Sequence, residues 1–205
     1  MIISFLSAVV AGYLLGCIPG GYVVGKLAGG VDVRRFGSKN IGTTNVLRVL
    51  GRRYALFVFL IDFGKGMLAV YLAGFFSTAT DTSIVRALAG IACISGHNWP
   101  IFLQFRGGKG VATSAGVFLI LTPLPFLFSL ISMAVIVGAT RYVSLGSIIS
   151  AALLPFYIWI LGGGETLIYV YSGAIVAGVV ILRHHSNLKR LLAGEENKLG
   201  EKVKI

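Results

Sequence analysis

Acidic side chains are scarce in this sequence, with 7 Asp and Glu against 18 Lys and Arg in 205 residues. A metal centre built from carboxylates therefore has little to draw on. The histidines are His97, His184 and His185, with no acidic cluster beside them, so neither a zinc site nor a two-metal site has a ligand set, and no metal or cofactor is expected. Cys17 and Cys93 both fall in apolar blocks without ligand spacing or a second pair, which reads as two small core residues rather than a disulfide framework. No segment is polar and long enough to form a separate domain, and there is no convincing internal repeat. One domain over residues 1–205 is expected.

What the chain has in abundance is apolar length. Hydrophobic residues make up 56% and charged residues only 12%, with a mean hydropathy of +0.89, far from the balance of a soluble domain and typical of an integral membrane protein. The net charge of +11 sits in clusters between apolar blocks. Such clustering points to the positive-inside rule and to anionic lipid or substrate, with no nucleic-acid partner expected. The first apolar block starts at Ile2 without a basic leader or an obvious cleavage site and reads as a retained span.

Taken in order, the first span is expected over residues 2–24, with Pro19, Gly20 and Gly21 near its inner end, where a kink or a close helix approach is tolerable. The loop after it carries Asp32, Arg34, Arg35, Lys39, Arg48, Arg52 and Arg53, a basic excess that places it in the cytoplasm. The second span, 54–76, contains Asp62 and Lys65, spaced to meet on one helix face. A charge at bilayer depth costs at least ~2.5 kcal/mol, so the two form either a structural intramembrane pair or the wall of a wet cavity. Asp81 marks an outer turn, and the third span, 84–99, holds Arg86 near its outer end.

Residues 111–140 are nearly uncharged, too long for one span of about 20 residues and short for two. Parity decides between the alternatives. A single crossing would put Arg183, Lys189, Arg190, Lys198, Lys202 and Lys204 outside, whereas a break at Pro123 and Pro125 into a hairpin returns the tail, and Arg141, to the inside. With spans at 144–161 and 166–182 joined by an outer turn through Glu165, the expectation is an all-α polytopic membrane protein with seven transmembrane helices, N-terminus outside and C-terminus cytoplasmic.

Under this topology three polar segments share the cytoplasmic face. The first is Gly37-Ser38-Lys39-Asn40-Ile41-Gly42-Thr43-Thr44-Asn45-Val46-Leu47-Arg48. Its glycines permit positive φ, its short polar side chains flank free backbone N–H groups, and a helix opening at Thr43 would present unpaired N–H groups to an anion with Arg48 one turn on. An ordinary capped loop explains the same letters. The second segment runs from His97 to Thr113 and contains Gly107-Gly108-Lys109-Gly110, which lacks the spacing and the following Ser or Thr of a nucleotide-binding P-loop. The third is Arg183-His184-His185-Ser186-Asn187. Arg48, Lys109 and Arg183 supply cations and few carboxylates compete, so the face suits phosphate, and more than one. His97 reads equally as a general base, a hydrogen-bond donor or an interfacial structural residue.

Three motifs carry a resemblance: Gly37-Ser38-x-Asn40-x-Gly42-x-Thr44-Asn45-x-x-Arg48; Gly96-His97-x-x-Pro100-x-Phe102-x-x-Phe105-x-Gly107-Gly108-Lys109-Gly110-x-Ala112-Thr113; and Arg183-His184-x-x-Asn187-x-x-Arg190-Leu191-x-x-Gly194-x-Glu196. In this order they resemble the motifs of the bacterial acyl-phosphate:glycerol-3-phosphate acyltransferases, and the resemblance covers essentially the whole chain. Asp62-Phe63-x-Lys65-Gly66 and Arg141-Tyr142-x-Ser144 also look like family positions. Departures are Lys39 where the family usually has Gly, Thr43 where it has Ala, and His185 where it has Arg or Lys. Lys39 is expected to restrict the turn.

The resemblance implies transfer of a fatty acyl group from acyl phosphate to the 1-hydroxyl of sn-glycerol 3-phosphate, giving lysophosphatidic acid and phosphate, at the inner face of the bacterial cytoplasmic membrane. It implies the bilayer and functional coupling to an acyl-phosphate synthase as partners. The catalytic residues are then Ser38, Arg48, His97 and Lys109. Gly37, Asn40, Gly42, Thr43, Thr44, Asn45, Lys65, Gly107, Gly108, Gly110, Ser144, Arg183, His184 and Asn187 bind substrate. Phe102 occupies the fifth position after His97, so the His-Asp arrangement of other glycerolipid acyltransferases is missing, which favours the donor's own phosphate over His97 as base. An organophosphate or anion transporter is the alternative, motivated by cationic, glycine-rich segments beside broken helices.

Overall fold

The computed structural model describes residues 2–77, 82–162 and 166–201, so Asp81, Glu165, Lys202 and Lys204 lie outside the described residues. The described residues form ten α-helices and no strand. The first long apolar run is α1 (Ile2–Gly16) followed, after Pro19, by α2 (Gly20–Gly29). Pro19 cannot donate a helical N–H, and the chain resumes its helix at the glycine pair. A short helix, α3 (Thr43–Leu50), precedes the long α4 (Arg52–Ala73), and α5 (Thr82–Asn98) returns antiparallel to it. Then come α6 (Val111–Leu121), α7 (Pro123–Thr140), α8 (Val143–Leu161), α9 (Thr166–Arg183) and α10 (His185–Leu192).

The break expected at Pro123 is present. Thr122 leaves helical geometry at φ −145° and ψ 72°, and α7 starts with proline in its first turn, where the missing N–H is harmless. By length and apolarity Ile2–Ala28, Arg52–Phe76, Pro123–Thr140 and Val143–Leu161 can each cross a bilayer, and Leu167–Arg183 with His185–Leu192 makes a fifth run bent by 59°. At 17 and 11 residues, α5 and α6 fall short of that measure. Length alone therefore counts four or five spans where the sequence pattern led to seven.

Glycine sets how closely the helices approach. A Cβ at Gly12 or Gly16 would overlap the backbone carbonyls of Ala89 and Cys93, and one at Gly96 would overlap Tyr13 O, so α1 and α5 touch backbone to backbone. Gly66 meets Thr113 O, and Gly116 meets Phe63 O, in the same way between α4 and α6. The first set closes α1 onto α5, and the second brings the middle of α4 against the start of α6. The main core, Val70, Ile94, Val117, Phe118, Leu154, Ile158, Val176 and Val180, joins α4, α5, α6, α8 and α9. A second cluster, with Val33, Ile41, Val46, Val49, Val58 and Leu103, lies under the first polar segment and gives that loop its own apolar floor.

Candidate active site

The first segment is built around Asn45, which is 1% exposed. Its Oδ1 accepts from Ser38 N at 2.8 Å, and its Nδ2 donates to Val33 O at 2.8 Å and Asn40 O at 2.7 Å. The side chain is used up holding the loop, and any ligand contact must come from what it presents. Asn40 closes a local turn by accepting from Gly42 N at 2.7 Å. Gly37 and Lys39 both occupy the left-handed region, at φ 58° and 54°. Lys39 adopts this glycine-like conformation at a cost of roughly 1–2 kcal/mol, so the glycine that the resemblance implies at this position has a local reason. Thr43 and Thr44 open α3, whose first N–H groups have no side-chain cap. Among the described residues the Ser38 hydroxyl has no hydrogen-bond partner.

The second segment folds back on the end of α5. Gly107 N donates to Asn98 O at 3.2 Å and Gly108 N to His97 O at 2.9 Å. A Cβ at Gly107 would overlap His97 O, and one at Gly108 would overlap His97 Nε2, so no larger residue fits either position. Gly110, at φ 81°, then turns the chain into α6. The third segment reaches across to it. Arg183 donates from Nε and Nη2 to Gly108 O at 3.1 and 2.9 Å, with its guanidinium 5.5 Å from the centre of the Trp99 ring. Lys109 Nζ donates to Asn187 Oδ1.

Glu196, quoted in the third motif without a role, is the hub of this corner. Its Oε1 accepts from Ser144 Oγ at 2.9 Å and Asn187 Nδ2 at 2.7 Å, and its Oε2 from Arg190 Nε at 2.7 Å. Burial works against the charged carboxylate, but these three donors outweigh it and hold Glu196 below the usual carboxylate range. One residue further on, Asn197 O accepts from Arg48 Nη2 at 3.1 Å, which ties the tail to α3. Asn40 Nδ2 adds a long contact of 3.4 Å to Gly107 O. The three segments thus form a closed ring of hydrogen bonds at one end of the bundle.

Charge within the ring is positive. Burial pushes the Lys109 ammonium down to about 8, Glu196 opposes that shift, and Arg190, Arg48 and Arg183 add to it. Burial likewise lowers Arg48, which is 8% exposed. Burial takes His184 to about 4, and its Nδ1 lies 2.8 Å from Val180 O, which can only accept. His184 is therefore neutral with its proton on Nδ1. Lys65 is placed differently from the other cations. Its Nζ meets Ile18 O at 2.8 Å, Asp62 Oδ1 at 2.9 Å and His97 Nδ1 at 2.9 Å, so its donors are turned inward.

A hollow of about 680 Å³ opens beside Thr44, Arg48, Arg52 and Glu201. A narrower apolar cavity of about 70 Å³ starts at Val111, two residues after Lys109, and runs between α6, α7, α8 and α9 past Phe118, Leu154 and Val180. Among the described residues no three His, Cys, Asp or Glu side chains converge. What the ring offers a ligand is cations, free N–H groups and an apolar slot.

Residues 6–194 match the family described as Glycerol-3-phosphate acyltransferase. A glycerol-3-phosphate acyltransferase of Thermoanaerobacter sp. (strain X514) is 45% identical, covering 98% of each chain. One of Shouchella clausii is also 45% identical, covering 98% of this chain and 99% of its own. Among solved structures, the crystal structure of PlsY (YgiH), an integral membrane glycerol 3-phosphate acyltransferase, is 38% identical over 96% of each chain, with a TM-score of 0.87 for the glycerol 3-phosphate form and 0.85 for the lysophosphatidic acid form.

Proposed function

The chain belongs to the glycerol-3-phosphate acyltransferase family, and on that premise we propose that it moves a fatty acyl group from acyl phosphate to the 1-hydroxyl of glycerol 3-phosphate. The products are lysophosphatidic acid and inorganic phosphate. The observation that carries this reading is the ring joining Ser38–Arg48, His97–Thr113 and Arg183–Glu196, in which two glycine-rich cradles and three cations sit beside an apolar slot. Both substrates carry a phosphate and one carries an acyl chain.

Acyl phosphate is a mixed anhydride, already activated, so no covalent enzyme intermediate is needed if the acceptor hydroxyl is held in line with the carbonyl carbon. The hydroxyl oxygen adds to that carbon, the bond from carbon to the phosphate oxygen breaks, and phosphate leaves with the electron pair. The hydroxyl proton passes to a donor phosphate oxygen or to His97. Arg48, with Ser38 and the α3 N–H groups, orients glycerol 3-phosphate. Lys109 bridges the two ligands and stabilises charge on the departing phosphate. Gly107, Gly108 and Gly110 let the backbone approach the donor, and Arg183 and Asn187 fix that backbone and the lysine.

The topology that suits this chemistry has seven crossings, with α1 and α2 as one bent span and α6 and α7 as a hairpin, the N-terminus outside and the ring in the cytoplasm. Residues 1–205 act as one domain of the bacterial cytoplasmic membrane, and coupling to an acyl-phosphate synthase would supply the labile donor. Purified protein in detergent should release phosphate from acyl phosphate only when glycerol 3-phosphate is also present. Proteoliposomes that instead accumulate labelled glycerol 3-phosphate without forming any acyl product would overturn this in favour of transport.

A further inference from the structure

Lys65 and Asp62 lie one helical turn apart on α4, with side chains 4% and 1% exposed. A lysine ammonium has three N–H donors and no lone pair. Lys65 Nζ has three neighbours at bonding distance: Ile18 O at 2.8 Å, Asp62 Oδ1 at 2.9 Å and His97 Nδ1 at 2.9 Å. Ile18 O accepts, Asp62 Oδ1 is held as an ion pair without a hydrogen bond, and the third contact is a bond only if Nδ1 also accepts. Nδ1 then holds a lone pair, and the proton of the neutral ring is on Nε2.

Two further facts give this assignment a consequence. Nε2 lies against Gly108, where a Cβ would overlap it, so the ring edge carrying the proton faces the glycine-rich second segment. Among the described residues Nε2 has no hydrogen-bond partner, whereas Nδ1 has Lys65; Asp62 Oδ1, 3.3 Å from Nδ1, makes no hydrogen bond and is held there by the ammonium it pairs with. Ile18 O lies in the break between α1 and α2, so the same ammonium ties that bend to the site.

We propose that Lys65, paired with Asp62, is a positioning residue that fixes His97 as the Nε2–H tautomer, making His97 a hydrogen-bond donor to a phosphoryl or carbonyl oxygen of the substrate in the Gly107–Gly110 segment. Of the two proton acceptors named for the reaction this leaves the donor phosphate oxygen, because the only lone pair of His97 is already taken by Lys65. Lys65 reaches the substrate through the histidine and not directly. This deepens the acyl-transfer reading and rests on it.

The test is nitrogen NMR of histidine-labelled protein in detergent micelles, with the His97 signal identified by its loss in His97→Gln. The expected spectrum has a pyrrole-type Nε2 and a pyridine-type Nδ1. A proton on Nδ1, or two pyrrole-type nitrogens, overturns the proposal. In Lys65→Met the freed Nδ1 takes the proton and turns to Asp62, so the spectrum switches tautomer. A Lys65→Met protein that folds and keeps the wild-type tautomer also overturns it.

Activity gives a second readout that survives if Lys65→Met fails to fold. The amide nitrogen of Gln lies near the position of Nε2 and can donate, while that of Asn lies near Nδ1. His97→Gln should therefore exceed His97→Asn in kcat/KM by about tenfold to a hundredfold, the worth of one hydrogen bond to a charged group. Equal losses in the two variants would refute the donor role. If the wild type transferred nothing from acyl phosphate, the functional reading would fail while the nitrogen spectrum still decided the tautomer.

Discussion

Lys109 should take up a proton when phosphate binds. Burial and three neighbouring arginines bring its ammonium down to about 8 in the ligand-free protein, so at pH 8 about half the molecules carry a neutral lysine. A bound phosphate dianion favours the charged form and returns the group towards its ordinary value of 10.5. Full recovery would be about 2.5 units, an upper bound of roughly 3.4 kcal/mol or about 300-fold in affinity between the two protonation states. Below pH 7 the lysine is charged with or without ligand, so binding costs it nothing. Above pH 8 each further unit should weaken phosphate binding by close to tenfold until the bound form itself titrates. Calorimetry of glycerol 3-phosphate binding at pH 8, repeated in buffers of different ionisation enthalpy, should report uptake of about half a proton. At that pH the ligand is already the dianion, its own second ionisation lying near 6, so it contributes no opposing release. Lys109→Arg keeps its charge throughout this range and should show no uptake. Wild-type binding without proton uptake, or equal uptake in Lys109→Arg, would refute the reasoning.

The other expectations follow from single contacts. Glu196→Ala removes the shared acceptor of Ser144, Asn187 and Arg190, and kcat/KM should fall by roughly tenfold to a hundredfold as Asn187 and Lys109 lose alignment, since a buried donor left unpaired costs about 1–3 kcal/mol. Gly108→Ala drives a methyl into the buried His97 ring, so activity should fall more than about a hundredfold, because a displacement of about 1 Å in the site has that effect on rate, and the melting temperature should fall with it, since overpacking costs about 1–3 kcal/mol. Lys39→Gly relieves the left-handed strain at φ 54° and should stabilise the protein by up to about 1 kcal/mol, read as a raised melting temperature. Lys39→Cys, Arg106→Cys and Lys189→Cys place thiols on exposed positions of the three segments. All three should react with an impermeant reagent from the cytoplasmic side only, and labelling from opposite sides would break the proposed topology.

How much was legible in the sequence depended on range. Pro123 and Pro125 announced the break between α6 and α7, because proline acts on its own turn of helix. Gly42-Thr43 and Gly110-Val111 marked the starts of α3 and α6 for similarly local reasons. The three polar segments stood out as interruptions in apolar blocks that have nothing polar to spare, and their order identified the family. The number of crossings was harder, since α5 and α6 are shorter than a standard span and their burial depends on neighbours.

Within the site, residue types were readable and their duties were not. Asn45 and Lys65 looked like ligand-binding groups, yet the hydrogen bonds of Asn45 are directed into its own loop, and the ammonium of Lys65 is turned to the break between α1 and α2, to Asp62 on α4 and to His97 on α5. Glu196 carried no assigned role and turned out to hold Ser144, Asn187 and Arg190 together.

Composition and local pattern determined that this chain is helical, apolar and interrupted by three polar segments, because hydrophobic length, proline and glycine act where they stand. Only the tertiary structure decided which side chains are consumed in holding the others and which are left without such a duty. Those partners are separated by as many as 149 residues, from Arg48 to Asn197. They meet only because glycine pairs such as Gly66 with Thr113 and Gly16 with Cys93 let the helices close to backbone contact.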